Sequence, residues 1–292
     1  MMETTPQRPW DLILKDPLPG RNSKPRSCGL SMVIDKGLGI RETLDLMELA
    51  SPYIDFLKFG FGTSMLYSKS LLQNKINVLR KHDIHPYPGG TLLELAVMQG
   101  KWKDFMRAAK KIGFTAIEVS DGTITMDSEL RRQLIQEAKN LGFVVLSEVG
   151  KKESGVHLPI ETQLEIIRSD LENGVFKVII EGRESGKDVG VYEANGTIRK
   201  DDVDQLIEKL GSPEVIMWEA PLKSQQEVLI SQFGGNVNFG NLAPQDIISV
   251  ESLRRGLRSD TMRLATFEPE KDTPQEEPVF FQMNKIVHTA AI

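Results

Sequence analysis

Residues 176–187 read FKVIIEGRESGK. The apolar, β-branched run Val178-Ile179-Ile180 is followed at once by Glu181, Arg183, Glu184 and Lys187, with Gly182 and Gly186 between them. β-Branched residues fit a pleated, buried strand, and glycine followed by charge ends one. A polar turn after a strand is ordinary by itself. What decides the fold is that the same unit recurs along the chain.

Short apolar runs stand at 28–34 (CGLSMVI), 54–59 (IDFLKF), 84–88 (IHPYP), 115–120 (TAIEVS), 143–149 (FVVLSEV), 177–181 (KVIIE), 214–219 (EVIMWE) and 237–240 (VNFG). Amphipathic stretches separate them, among them RETLDLMELA, LLQNKINVLRKH, FMRAAKKIG, ELRRQLIQEAKNLG, ETQLEIIRSDLENG, VDQLIEKLG and SQQEVLISQFG, several closing on glycine as helix C-caps do. PQDIISVESLRRGL supplies an eighth helix after the last run. Strands alternating with helices pair in parallel, and eight units in about 230 residues match the count and length of a single-domain (β/α)8 TIM barrel. A doubly wound open sheet is the alternative, although no GxGxxG follows the first strand. The reading divides the chain into an N-terminal extension (1–26), the barrel (27–262) and a C-terminal extension (263–292). That last segment starts acidic and proline-containing, turns apolar, and reads as partly flexible, with an end able to dock on the barrel or on a neighbouring subunit.

Composition is that of an ordinary globular protein: 292 residues, 26% charged and 40% hydrophobic. A net charge of −5 argues against nucleic acid or an anionic membrane as a general partner. One cysteine, Cys28, excludes an intrachain disulfide framework and fits a reducing cytoplasm. No basic leader with an apolar core opens the chain, and no stretch approaches the roughly 20 apolar residues of a membrane helix. The expectation is a soluble cytoplasmic protein.

A barrel of this type builds its active site from the carboxyl ends of the strands. In order, those ends present Asp35 and Lys36; Lys58 with Gly62, Thr63 and Ser64; Gly90 and Thr91; Glu118 with Ser120 and Asp121; Glu148 with Lys151 and Lys152; Glu181 with Arg183; Glu219; and Asn238 with Asn241. Five carboxylates (Asp35, Glu118, Glu148, Glu181, Glu219) suit Mg²⁺, a hard cation that takes oxygen ligands. No HxH or histidine–cysteine cluster points to zinc. Lys58, Lys151, Lys152 and Arg183 offer positive charge to an anionic substrate, and arginine grips carboxylate or phosphate with two parallel hydrogen bonds. The glycine turns GFGTS and YPGGT can shape the chain or offer N–H groups to phosphate. Each group has an ordinary structural role as competitor: a hydrogen-bonded carboxylate, or a surface pair of Arg183 with Glu184 or Glu181. Lys151 and Lys152 are adjacent, so in extended backbone they point opposite ways and at most one of them faces the site. The residues together describe a barrel enzyme for a small phosphorylated or carboxylated molecule, with Mg²⁺.

The set IDFLKFGFGTS, YPGGTLLE, IEVSDG, LSEVGKK, VIIEGRESGK, EAPLKSQQ and ESLRRGLRSDT, in order from about residue 27 to residue 262, resembles the phosphosulfolactate synthase family of coenzyme M and sulfolactate biosynthesis. The resemblance implies a (β/α)8 barrel, a homo-oligomer, and a carbon–sulfur lyase acting in the synthetic direction. It also implies the reaction, in which sulfite adds to C3 of phosphoenolpyruvate with Mg²⁺ and C2 is protonated to give (2R)-2-O-phospho-3-sulfolactate. It places the general acid at Lys151 and the anion grip at Arg183 and Lys58. The remaining substrate contacts fall to Lys36, Gly62, Thr63, Ser64, Gly90, Thr91, Ser120, Asp121, Lys152, Asn238 and Asn241. Glu148 and Glu181 become the first Mg²⁺ carboxylates, with Asp35 and Glu118 behind them. The sequence departs from the family pattern at Phe61, where tryptophan is expected, and in VNFGNLAP, where Phe239 and Gly240 alter one side of the pocket. Two alternatives stand beside this reading: a stress-associated, non-synthase member of the same wider family, and an aldolase-type barrel with a Schiff-base lysine.

Overall fold

All eight apolar runs form strands in the computed structural model, which describes residues 8–11 and 13–265: β1 (Ser31–Asp35), β2 (Phe56–Phe59), β3 (His85–Tyr87), β4 (Ala116–Val119), β5 (Val144–Val149), β6 (Lys177–Ile180), β7 (Ile216–Glu219) and β8 (Asn238–Leu242). They pair in parallel in the order β3-β2-β1-β8-β7-β6-β5-β4, so the first and last strands meet and the sheet curls into the expected (β/α)8 barrel. The seam falls between β3 and β4. There the Thr115 N–H donates to the Pro86 carbonyl at 3.2 Å, and Pro86 has no N–H to return.

Helices α1 (Ile40–Ala50), α2 (Lys69–Lys81), α3 (Gly90–Met98), α4 (Trp102–Ile112), α5 (Ser128–Asn140), α6 (Ile160–Glu172), α7 (Lys200–Leu210), α8 (Lys223–Phe233), α9 (Ile247–Arg254) and α10 (Ser259–Met262) surround the strands. The sequence reading does not contain α3. Its segment GTLLELAVM is apolar at nearly every position and so lacks the polar stripe that marks an amphipathic helix.

Side chains alternate across each strand, and this sets the site. Met32, Phe56, Tyr87, Ala116, Leu146, Ile179 and Met217 meet inside the barrel as an apolar floor. Val33, Leu57, Ile117, Val145, Val178, Ile180, Trp218 and Phe239 point the other way, into the shell between strands and helices. Two residues beyond the floor on β2, β4, β5, β6 and β7 stand Lys58, Glu118, Glu148, Glu181 and Glu219, so the next inward layer is charged.

The described part of the N-terminal extension crosses the opposite end of the barrel. It is held by Arg21 on Glu251 (3.0 Å), Arg26 on Asp55 (2.9 Å) and the Leu18 N–H on the Arg255 carbonyl (2.9 Å). Most of the C-terminal extension, from residue 266 on, lies outside the described residues. Among the described residues no helix is long and apolar enough to cross a membrane.

Candidate active site

The charged layer is a network. Lys58 Nζ lies 3.1 Å from Glu118 Oε2, 3.1 Å from Glu219 Oε1 and 3.5 Å from Glu148 Oε2. Glu148, Glu181 and Glu219 each bring an oxygen within 4.8 Å of the other two. All four glutamates are at most 1% exposed. Lys152 enters from the loop after β5, its Nζ 3.2 Å from Glu148 Oε1, 3.2 Å from Glu94 Oε1 and 3.2 Å from Thr91 Oγ1.

Backbone geometry at two turns fixes the carboxylates. Gly90 opens α3, and its N–H donates to Glu118 Oε1 at 2.7 Å. A Cβ at Gly90 would stand 2.6 Å from that oxygen and overlap Ser120 Oγ, so only glycine fits. After β6, the N–H groups of Gly182 and Arg183 both donate to Glu219 Oε2 at 3.0 Å, and that of Arg183 also reaches Glu181 Oε1 at 2.8 Å. Arg183 does this with φ of 56°, a left-handed conformation unfavourable for a side chain with Cβ. Its guanidinium caps the Lys152 carbonyl at 2.8 Å and leaves the rest of its donor fork at the exposed rim. Strain of this kind is stored where geometry matters for function. Arg183→Gly is therefore expected to melt at the same temperature or slightly higher, with a gain of up to about 1 kcal/mol. Its KM for an anionic substrate is expected to rise roughly tenfold or more if the guanidinium meets that anion at the rim, a split that calorimetry and steady-state kinetics on one sample would read.

Proton positions follow from crowding. Burial works to raise Glu148, but the Lys152 and Lys58 ammonium groups outweigh it and hold the carboxyl down at about 2. Burial, then the charges of Glu148 and Glu219, push Glu181 well above the usual carboxylate range. Glu118 is raised by burial, against the pull of Lys58. Burial opposes the charged forms of Lys58 and Lys152, yet the surrounding carboxylates overcome it and both amines are held protonated. Five carboxylates, counting Glu94, thus face two ammonium groups. Glu181 Oε2 is buried with no hydrogen-bond donor. Such an acidic triad, only partly offset by Lys58 and Lys152, fits a divalent cation, which would relieve the repulsion that raises Glu181.

The expected residues separate into groups. Lys58, Glu118, Glu148, Glu181, Lys152, Gly90 and Thr91 converge on the cluster, and Glu219 joins them. Lys151 does not reach the carboxylates: its Nζ is bound by Asp121 Oδ2 at 2.8 Å and by the carbonyls of Asp121 (2.7 Å) and Ile124 (3.3 Å). Ser120 donates to Glu94, and Asp121 is shared between Lys151 and Arg131. Asp35 corrects the metal reading. It stands one residue past Ile34, on the outward face of β1, where the buried Lys75 of α2 holds it. Asn238 is also corrected as a substrate contact. It begins β8 at the far end of the barrel, accepting from the Leu30 N–H (3.0 Å) and donating to the Glu214 and Ile216 carbonyls (2.9 and 2.8 Å). Asn241 lies at the mouth end of that strand, with its buried Oδ1 unpartnered. Gly62 has φ of 66° in the turn after β2, the Thr63 hydroxyl is buried beside it near Tyr67, and Ser64 is buried there. Lys36 lies 6.0 Å from the ring of exposed Phe61, away from the carboxylates. Phe239 faces outward, stacked under the Arg254 guanidinium at 4.5 Å, so of the two eighth-strand departures Gly240 alone borders the interior, beside Met32, Met217 and Glu219. Three residues were not singled out from sequence: Glu94, Lys75, and Tyr87, whose buried hydroxyl lies beside Glu118 and Lys58. Glu94 carries the one trace that was readable, being the sole charge in α3.

Fold and site together define a (β/α)8-barrel enzyme with a buried, lysine-bearing acidic centre at the carboxyl ends of its strands. The family model of (2R)-phospho-3-sulfolactate synthase (ComA) matches residues 19–260, and the chain belongs to that family. It is 43% identical over 246 residues to phosphosulfolactate synthase of Methanothermobacter thermautotrophicus, covering 84% of this chain and 95% of that protein. It is 23% identical over 228 residues to protein HEAT-STRESS-ASSOCIATED 32 of Arabidopsis thaliana, covering 72% of this chain and 79% of that protein. Among solved structures, 3-keto-L-gulonate-6-phosphate decarboxylase from Vibrio cholerae superposes with a TM-score of 0.51 at 11% identity, over 82% of this chain and 100% of that one, a likeness of fold alone.

Proposed function

We propose that this chain is a phosphosulfolactate synthase, joining sulfite to C3 of phosphoenolpyruvate and protonating C2. The observation that carries the reading is the buried layer in which Lys58 and Lys152 are held protonated against Glu118, Glu148, Glu181 and Glu219. In the reaction the sulfur lone pair forms the C–S bond, the C2–C3 π electrons move toward the substrate carboxylate, and a proton then closes C2. Glu148, Glu181 and Glu219 are the residues that would hold a divalent cation, and Mg²⁺ suits an all-oxygen set. When bound, that cation supplies Lewis acidity to the substrate carboxylate.

The chain's own residues supply the rest. Lys58 holds Glu118, Glu148 and Glu219 at fixed positions and offsets part of their charge. Arg183, at the rim, grips an anionic end of the substrate. Lys152, the more exposed of the two ammonium groups in the cluster, delivers the proton to C2; Lys151, bound to Asp121, shapes the loop that carries it. Two anionic substrates repel one another, and preorganised cations reduce that cost where charge develops. The cytoplasmic setting and the homo-oligomer belong to the same proposal, supported by the single cysteine and by exposed Phe61, Met65, Leu66 and Met98 beside the mouth.

A Schiff-base mechanism needs a neutral amine, and the carboxylates around Lys58 and Lys152 oppose that form. The stress-associated reading is favoured less, by identities of 23% against 43%. The test is phosphorus NMR with mass spectrometry on protein mixed with phosphoenolpyruvate, bisulfite and Mg²⁺, beside an EDTA-treated control. A product of phosphosulfolactate mass that disappears with EDTA is expected. Folded protein that makes none, or that is trapped by borohydride on a carbonyl substrate, sinks the proposal.

A further inference from the structure

Lys152 is a four-carbon arm ending in a charge, and the acidic cluster beneath it attracts that charge strongly. Left to itself the arm would settle onto Glu148 and Glu181, where its ammonium group is spent on the protein and withdrawn from any substrate above. Something must hold it at the height of the mouth.

Glu94 is placed to do this. It lies one turn into α3 from Gly90, on the same helix face. Its side chain is 2% exposed. Oε1 accepts from Ser120 Oγ at 2.5 Å and from the Gly122 N–H at 3.1 Å, while Oε2 accepts from the Thr123 N–H at 3.1 Å. These bonds fasten the carboxylate to the loop after β4, and Lys152 Nζ meets Oε1 at 3.2 Å. The Lys152 stem lies across Gly122, where a Cβ would come within 2.9 Å of Lys152 Cγ and 3.0 Å of Cδ and Cε. The Lys152 N–H is tied to the Gly122 carbonyl at 3.1 Å.

An ammonium group has three protons, and those of Lys152 face Glu94, Glu148 and Thr91. Two of these partners are carboxylates on different elements, α3 and β5, each 3.2 Å from the nitrogen. The third is the neutral Thr91 hydroxyl on an exposed residue, the partner an incoming anion displaces at least cost.

We propose that Glu94 is a positioning residue, suspending the Lys152 ammonium group between α3 and β5 so that one of its protons is directed at substrate in place of Thr91. The inference rests on the synthase reading and deepens it. The competing role for Glu94 is a staple of the loop 120–123 to α3. Glu94→Gln separates the two, because glutamine keeps the size and, with its oxygen in the Oε1 position, the acceptor for Ser120 and Gly122; it gives up the Thr123 bond and removes the charge that faces Lys152.

Full-length wild type, Glu94→Gln, Lys152→Met and the double variant are compared in steady-state kinetics with phosphoenolpyruvate and bisulfite. Misplacing a reacting group by about 1 Å costs up to roughly 100-fold. Glu94→Gln is accordingly expected to lower kcat between about 10- and 100-fold with KM changed less than about threefold, and the double variant to be no slower than Lys152→Met alone. Multiplying effects in the double variant overturn the proposal. A second readout needs no turnover: in protein carrying ¹⁵N-lysine, the hydrogen-bonded Lys152 ammonium resonance, assigned by its loss in Lys152→Met, is expected to vanish or shift in Glu94→Gln. If wild type makes no phosphosulfolactate the synthase reading fails, and this resonance decides the role of Glu94, an unchanged signal overturning it. Should Glu94→Gln not fold, Glu94→Asp keeps the charge but withdraws it from Lys152, with the same two expectations.

Discussion

Lys152→Met is expected to lower kcat by about three orders of magnitude, within the range that a positioned general acid contributes, whereas Lys151→Ala should lose less than about tenfold. The two residues are neighbours, so sequence alone assigns the role to either. The distinction is geometric: Lys152 shares its ammonium group with Glu148 and Glu94, while Lys151 spends its own on Asp121 and two carbonyls. Methionine keeps the length and apolar stem of lysine, so the contact with Gly122 survives and a loss of rate is not a loss of fold. Circular dichroism and melting temperature beside the kinetics secure that point. Equal residual activities, or a larger loss at Lys151, would return proton delivery to Lys151 and make Lys152 an electrostatic neighbour of the metal carboxylates.

The charged centre was legible because two periodicities agreed. A barrel puts its chemistry at the carboxyl ends of strands, and Lys58, Glu118, Glu148, Glu181 and Glu219 all end or follow apolar runs of unmistakable strand character. What the sequence left open was parity. Glu148 is two residues beyond Leu146 of the floor and points inward; Asp35 is three beyond Met32 and points out. Without knowing which residue of each strand forms the floor, both look like carboxylates at a strand end. Asn238 was misplaced for a related reason: β8 continues to Leu242, so the residue that seemed near its end is at its beginning. Glu94 was hidden by the uniform apolarity of α3, and the partner of Asp35 by a separation of 40 residues.

That partner carries the largest expected stability effect. Lys75 and Asp35 are both fully buried, and the amine also donates to the Leu38 carbonyl and lies 5.3 and 4.9 Å from the rings of Phe59 and Tyr67. Asp35 in turn receives the N–H groups of Gly37 (2.8 Å) and Leu38 (2.7 Å), so the pair folds the loop after β1 against α2. Lys75→Met removes one charge and strands the other in a dry site, which costs about 3–5 kcal/mol, or about 10 °C in melting temperature for a domain of this size. Asp35→Asn combined with Lys75→Met restores neutrality while keeping an acceptor for both N–H groups, and should recover more than half of that loss in urea unfolding. The same variants separate scaffold from site. Asp35→Asn is expected to leave Mn²⁺ binding, followed by calorimetry, within about threefold of wild type, whereas Glu181→Gln weakens it by about 10-fold or more, at least the scale of losing a group that only orients a metal ligand. Mn²⁺ affinity that instead follows Asp35 would move the metal to β1 and take Glu181 out of its coordination.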